Sequence, residues 1–324
     1  MPRFFMAVTE PKLPYLTFFH RPDRDYTSRR EGDLRILLSP EITAPVDFSS
    51  LILSVQCDAC ETGWLMSEVQ VRQDGVWSKF FKLAFYSAKL LHSFDTQEDA
   101  VGAVDTDVLQ LKAPAQAYRF RLTQQGYEIA PAVTVCLTDA HAEPDPCGAI
   151  LPPGACEVKV QPISQMQLAV SPADQVRLCS STSLTMALNA LGFASDALDV
   201  AAAVYDDRAR IYGNWTLNTA YACYRGLFAC VTRFQKLSQL EGFIGPDSLV
   251  AATVSYKRGE LTGAAVSHTP GHLVLICGWK NGKIRVADPA AAQTEDVVRF
   301  YDPAEFARAW LLNKRGAAYL VRKK

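Results

Sequence analysis

The chain has 324 residues, with 33 Lys and Arg against 34 Asp and Glu, a formal net charge of -1, and 49% hydrophobic residues against 21% charged. That composition excludes a disordered chain, and the length predicts two domains, because it exceeds what one hydrophobic core usually serves. Arg21, Arg24, Arg29 and Arg30 form the one short basic cluster and are partly neutralised by Asp23, Asp25, Glu31 and Asp33, which argues against nucleic acid as a partner.

In chain order, the apolar start Phe4-Phe-Met-Ala-Val8 is shorter than a signal-peptide core and is cut off by Glu10, Pro11 and Lys12. No apolar run approaches the roughly 18 to 20 residues that cross a bilayer, since even His272 to Trp279 is closed by Lys280. A soluble, cytoplasmic protein without a membrane partner is the expectation. Nine cysteines, an odd count, predict reduced thiols rather than a disulfide framework. Cys57-Asp-Ala-Cys60 has redox or zinc spacing, but His20 and His92 supply no second pair, so neither metal nor cofactor is expected.

Leu34–Leu38, Ser50–Val55, Glu68–Arg72, Val108–Leu111, Tyr118–Leu122 and Ala132–Leu137 are short apolar or alternating runs between turn residues, the pattern of an antiparallel β-sandwich. Asp74-Gly75 predicts a hairpin turn. Trp64, Trp77, Phe80, Phe81, Phe85 and Tyr86 are candidates for a glycan groove, with core packing the plainer reading. A Pro- and Gly-rich stretch from Asp139 to Pro162 reads as a linker. The expected division is residues 1–145, a jelly-roll-like β-sandwich accessory domain, and residues 146–324, an α+β domain.

In the second part, helices are expected over 181–191, 197–205, 218–225, 237–243 and 303–312, and strands over 249–255, 272–277, 283–287 and 317–322. Cys179 precedes a helical pattern of Leu184, Ala187, Leu188 and Leu191, closed by Gly192. A thiol at a helix N-terminus meets unpaired N–H groups and the positive end of the helix dipole, which favour thiolate and can hold an oxyanion. Alone, Cys179 would read as a buried core thiol. His272 opens an apolar strand, Asn281-Gly282 turns the chain, and Asp288 ends the returning strand, so a hairpin would bring imidazole and carboxylate together.

These residues carry a resemblance. Gln165 in Gln-Pro-Ile-Ser-Gln-Met, Leu-Cys179-Ser-Ser-Thr-Ser, Gly213-Asn-Trp-Thr-Leu-Asn-Thr-Ala-Tyr-Ala222, Gly271-His272 and Asp288-Pro-Ala290 together resemble the papain-like C39-like peptidases of bacteria, over about residues 160–321. The resemblance implies a papain-like fold, Cys179 as nucleophile, His272 as base, Asp288 as its orienting group, and Gln165 with the Cys179 N–H as oxyanion hole. Gln175 competes with Gln165, being nearer Cys179. Leu178, Ser181 and Ala287 replace the family's Trp, Pro and Asn, which puts substrate preference in doubt. Asn214, Trp215 and Asn218 either line a substrate cleft or serve as helix cap and core.

The expected function is cysteine-dependent hydrolysis of a peptide or other amide. Two alternatives stay open: an acyltransferase or amidase using the same triad on a non-protein substrate, and a degenerate module that binds glycan or protein through the N-terminal part.

Overall fold

A computed structural model of the chain describes residues 11–21, 24, 26–56, 62–87, 89–94, 96–127, 130–142 and 146–324; the Cys57 and Cys60 pair lies outside them. Strand pairing among the described residues is antiparallel throughout, in two sheets.

In the first sheet the path of neighbours runs Thr17–His20, Ala132–Asp139, Ile42–Gln56, Val108–Gln125, Trp64–Gln73, Phe81–Ser87, Leu91–Ser93. The expected separate strands at 108–111 and 118–122 are one strand of 18 residues, Val108–Gln125. It shifts register around Ala115, and this irregularity lets its first part pair with Ile42–Gln56 while its second part pairs with Leu34–Leu38 and Trp64–Gln73. Phe48, Leu51, Leu53, Val55, Val69, Tyr118 and Phe120 fill the core that this network encloses. Asp74 and Gly75 do make the turn, at φ 48 and 82, but only Val76 and Trp77 pair directly after it. Phe81 and Tyr86 are core, whereas Trp64, Phe85 and His92 form a partly covered cross-strand stack.

The second sheet runs Phe228–Arg233, Ala317–Arg322, Ser248–Tyr256, Thr269–Lys280, Lys283–Ala287, Val298–Tyr301, with Cys156–Glu157 beside Thr269–Lys280. Helices Cys179–Ala190, Ala197–Val204 and Trp215–Tyr224 are clustered around it, the first lying against Thr269–Lys280. Leu237–Gly242 is a 3-10 turn, and the expected last helix is α-helical only over Pro303–Ala307 before widening into a π-turn. Gly278 permits the register shift between Thr269–Lys280 and Lys283–Ala287: a Cβ there would overlap the Cys156 carbonyl oxygen.

The two halves share their cores. Leu217 and Ala220 are buried in the first core, while Ile52, Val108 and Cys136 are buried in the second. Polar groups across the boundary are matched: Ser54 Oγ accepts from Val231 N at 2.9 Å, and Gln56 Nε2 donates to Ala229 O at 3.1 Å.

Candidate active site

The helix expected from Ser181 starts at Cys179 and runs to Ala190, with Ser180 to Leu188 buried. Leu178 at its N-cap offers no side-chain acceptor, so the first N–H groups of the helix remain directed at the cysteine end. The Cys179 thiol is half-buried, and the groups that act on it are the His272 imidazole and the backbones of Leu273 and Ser180. Desolvation pushes the thiol up, but His272 and the two backbone N–H groups outweigh it and hold the thiol below its ordinary range.

His272 lies on the strand Thr269–Lys280, opposite Val254, and is 6% exposed. Asn281 and Gly282, at φ 51 and 71, make the turn to Lys283–Ala287. Ala287 pairs with Leu275, so Asp288 lies just beyond the ladder and reaches back diagonally to His272. His272 Nε2 donates to Asp288 Oδ1 at 2.7 Å, which leaves Nδ1 for Cys179. Burial disfavours the charged imidazole, but Asp288 and Cys179 outweigh it and lift His272 to about 10.

Asp288 is 1% exposed, and burial favours its neutral form. His272 outweighs that penalty, helped by the Ala290 N–H at 3.0 Å from Oδ1 and the Tyr301 hydroxyl at 2.9 Å from Oδ2, and the carboxyl stays below its ordinary range. Thiolate, imidazolium and carboxylate are thus the mutually stabilised charge states. The raised imidazole contributes stability that is fully present below about pH 6.5 and is lost as pH rises through about 10. The depressed carboxyl contributes stability present above pH 3.8, lost as pH falls through its lower folded value.

Tyr301 was not singled out in the sequence, because Val298–Tyr301 is a short strand with little alternation. Tyr301→Phe removes one donor from a buried carboxylate, an interaction that contributes about 1.5–3 kcal/mol. The expected outcome is a loss of that order in thermal or denaturant stability. The acid limb of Cys179 alkylation should also move to higher pH, since Asp288 then protonates more easily; an unmoved limb would contradict this role for Tyr301.

Gln165 is 2% exposed and is strapped to the loop after Asp288: its N–H donates to Pro289 O at 2.8 Å, and the neighbouring Ser164 Oγ donates to Ala291 O at 2.5 Å. Its Nε2 donates to the Gln175 carbonyl at 2.7 Å, and its buried Oε1 meets no partner among the described residues. Gln175 is partly exposed and its own amide donates to Leu168 O at 2.9 Å. Both glutamines therefore brace the segment leading into Cys179.

Asn214 and Asn218 do not line an open cleft; they are 1% and 0% exposed. Asn214 caps the helix Trp215–Tyr224 through Leu217 N at 3.1 Å, and its Nδ2 donates to Asp206 at 2.8 Å. Asn218 Nδ2 donates to Tyr212 O at 2.9 Å and Asn214 O at 2.7 Å, and its Oδ1 accepts from Ser180 Oγ at 3.0 Å. Trp215 is partly buried against the second core. Ser181, in the place of the family's Pro, is buried and donates to Leu178 O at 3.2 Å.

Among the described residues no group of His, Cys, Asp and Glu is arranged to hold a metal ion, and no helix is long and apolar enough to cross a membrane. What sheet and helix bring together is a thiol, an imidazole and a carboxylate, the last two hydrogen-bonded at 2.7 Å. The chain belongs to the Peptidase_C39 like family, whose pattern matches residues 157–318, half of its length. Residues 22–137 match the Peptidase C39 N-terminal domain.

Solved structures similar to this chain include a double glycine motif protease from an AMS/PCAT transporter in complex with the leader peptide, at 18% identity over 52% of this chain and 95% of that one, TM-score 0.36. The peptidase domain of Streptococcus ComA, a bi-functional ABC transporter involved in quorum sensing, is 13% identical over 52% of this chain and 99% of that one, TM-score 0.36. A C39-like peptidase from Bacillus anthracis is 17% identical over 53% of this chain and 98% of that one, TM-score 0.37. No curated protein matches the chain significantly.

Proposed function

We propose that the chain is a cysteine peptidase in which residues 146–324 form a papain-like catalytic domain and residues 1–145 a β-sandwich accessory domain. The observation that carries the reading is the buried His272–Asp288 hydrogen bond of 2.7 Å beside Cys179, where the imidazole holds the thiol down and the carboxylate holds the imidazole up. The Cys179 thiolate attacks the amide carbonyl carbon, forming a C–S bond. As the tetrahedral adduct collapses, the C–N bond breaks and His272 gives its proton to the leaving amine. His272 then takes a proton from water, which attacks the thioester, releases the acid and restores the thiol pair.

The oxyanion of each adduct meets the Cys179 N–H at the helix start and an amide N–H of Gln165. A glutamine amide has two N–H donors, and the Gln175 carbonyl occupies one. Loss of one oxyanion donor typically costs about 10² to 10³ in kcat. Gln165→Ala should therefore reduce kcat by that order while leaving the rate of Cys179 alkylation within about 3-fold of wild type. An equal fall in alkylation would confine Gln165 to bracing the segment that leads into Cys179.

The substrate class is peptide, and the test is cleavage of a peptide library followed by mass spectrometry of the products. Hydrolysis gives free carboxylates. Quantitative capture of the acyl group by an added amine, with no free acid formed, would instead make the protein an acyltransferase.

A further inference from the structure

The boundary between the halves has two buried carboxylates, and both lead to the helix start at Asn214. Asp107 lies in the tight turn between Gly102–Asp105 and Val108–Gln125, and Thr106 beside it has φ 58. Its Oδ2 crosses the boundary to accept from Trp215 N at 2.5 Å and Thr216 N at 3.1 Å. Those are the first two residues of the helix Trp215–Tyr224, so a residue of one half caps a helix of the other.

Asp206 completes the arrangement in the opposite direction. It is 0% exposed, and its Oδ2 accepts from Ser93 N of the N-terminal half at 3.1 Å as well as from Asn214 Nδ2. Its Oδ1 accepts from Arg208 N and Ala209 N at 3.1 and 3.2 Å. The clamped helix also places Leu217 and Ala220 in the N-terminal core, so apolar burial and polar contacts act on the same element.

One turn into that helix, Asn218 Oδ1 holds the Ser180 hydroxyl, which also lies 2.8 Å from the Tyr319 hydroxyl. Ser180 follows Cys179 directly in the first turn of the helix Cys179–Ala190, so the hydroxyl that Asn218 holds sits one residue from the thiol. A shift of the clamped helix would thus reach Ser180 through a single side chain.

We propose that the N-terminal half is a working part of the active site: Asp107 and Asp206 clamp the helix Trp215–Tyr224, and Asn218 passes that fixed position through Ser180 to the Cys179 sulfur. Asp107 is a positioning residue in this scheme. The effect on turnover rests on the peptidase reading, but the effect on the thiol does not.

The test is the rate of Cys179 alkylation by iodoacetamide against pH, in the full chain, with the modified peptide identified by mass spectrometry and the thermal midpoint measured in parallel. Couplings carried between sites through packed side chains are on the order of 0.5–2 kcal/mol, so Asp107→Ala should slow alkylation at neutral pH by about 10-fold and move its pH midpoint upward. Asp107→Asn, which keeps an acceptor oxygen, should stay within about 2-fold of wild type. Ser180→Ala, which removes only the hydroxyl link, should give the loss seen in Asp107→Ala, and the double variant should lose no more.

An Asp107→Ala protein with a lower thermal midpoint but wild-type alkylation rate and pH midpoint would reduce Asp107 to a structural cap and overturn the proposal. If Asp107→Ala does not fold, Ser180→Ala decides: alkylation at the wild-type rate means the link does not reach the sulfur. Intact alkylation couplings in a protein that cleaves no peptide would remove the peptidase reading and leave the clamp standing.

Discussion

If the chain is the cysteine peptidase proposed, Cys179→Ala should leave no amide hydrolysis above background, a fall on the order of 10⁴-fold or more, and no labelling of that site by iodoacetamide near neutral pH. The reason is electronic rather than steric. Cys136, Cys156, Cys230 and Cys277 are pushed up by burial, Cys277 to about 12, whereas Cys179 is held down by the His272 imidazole with the Leu273 and Ser180 backbones. Selective labelling at low pH follows, because the thiolate is the reactive form. Peptide mapping after brief alkylation at about pH 6 checks it, and undiminished turnover by the Ala variant would remove Cys179 from the chemistry.

The second large effect is that of His272→Asn. Without the imidazole, the thiol loses the contribution that outweighs its desolvation, so its midpoint should rise to or above the ordinary value of about 8.5. The proton for the leaving amine is lost as well. Together these predict a fall in kcat on the order of 10³- to 10⁴-fold. In the wild type, alkylation should climb at low pH to a plateau that persists toward pH 10, where His272 loses its proton; in the variant, that low-pH plateau should disappear. Parallel alkylation profiles measure both midpoints. A wild-type profile with the midpoint of an unperturbed thiol would contradict the charge assignment.

The parts of this site that sequence makes legible are those in which a backbone signal sits next to the reactive group. Cys179 stands at the start of an apolar helix, and Asn281-Gly282 makes the turn that returns the chain toward His272. The diagonal reach of Asp288 is less legible, because it depends on a register shift at Gly278 that the alternation pattern does not reveal.

Residues that act across the fold are hidden for a different reason. Asp107 and Trp215 are 108 residues apart in sequence, and Ser180 and Tyr319 are 139 apart, so neither pairing has a local signature. Tyr301 sits on an edge strand too short to show a period. Asn214 and Asn218 illustrate the opposite difficulty. Their unusual composition marks them as important, but the same amides suit a ligand or a buried network, and here every amide group has an internal partner.

In the N-terminal half, most strand positions follow from apolar runs, yet their connection does not. The single strand Val108–Gln125 joins neighbours on both sides through an irregularity around Ala115, where Lys-Ala-Pro interrupts the alternation and reads locally as a break. The strand Phe228–Arg233 is likewise a short buried run, Phe-Ala-Cys-Val-Thr-Arg, that lacks any alternation to announce it.

The most direct measurement of the central claim is an acid quench during the first turnover of the wild-type protein with a peptide library, followed by peptide mapping. A thioester between the acyl half of a cleaved peptide and the Cys179 sulfur, lost on treatment with hydroxylamine, is the predicted result. Cleavage products with no adduct on Cys179, an adduct on another residue, or no cleavage of any peptide would contradict it.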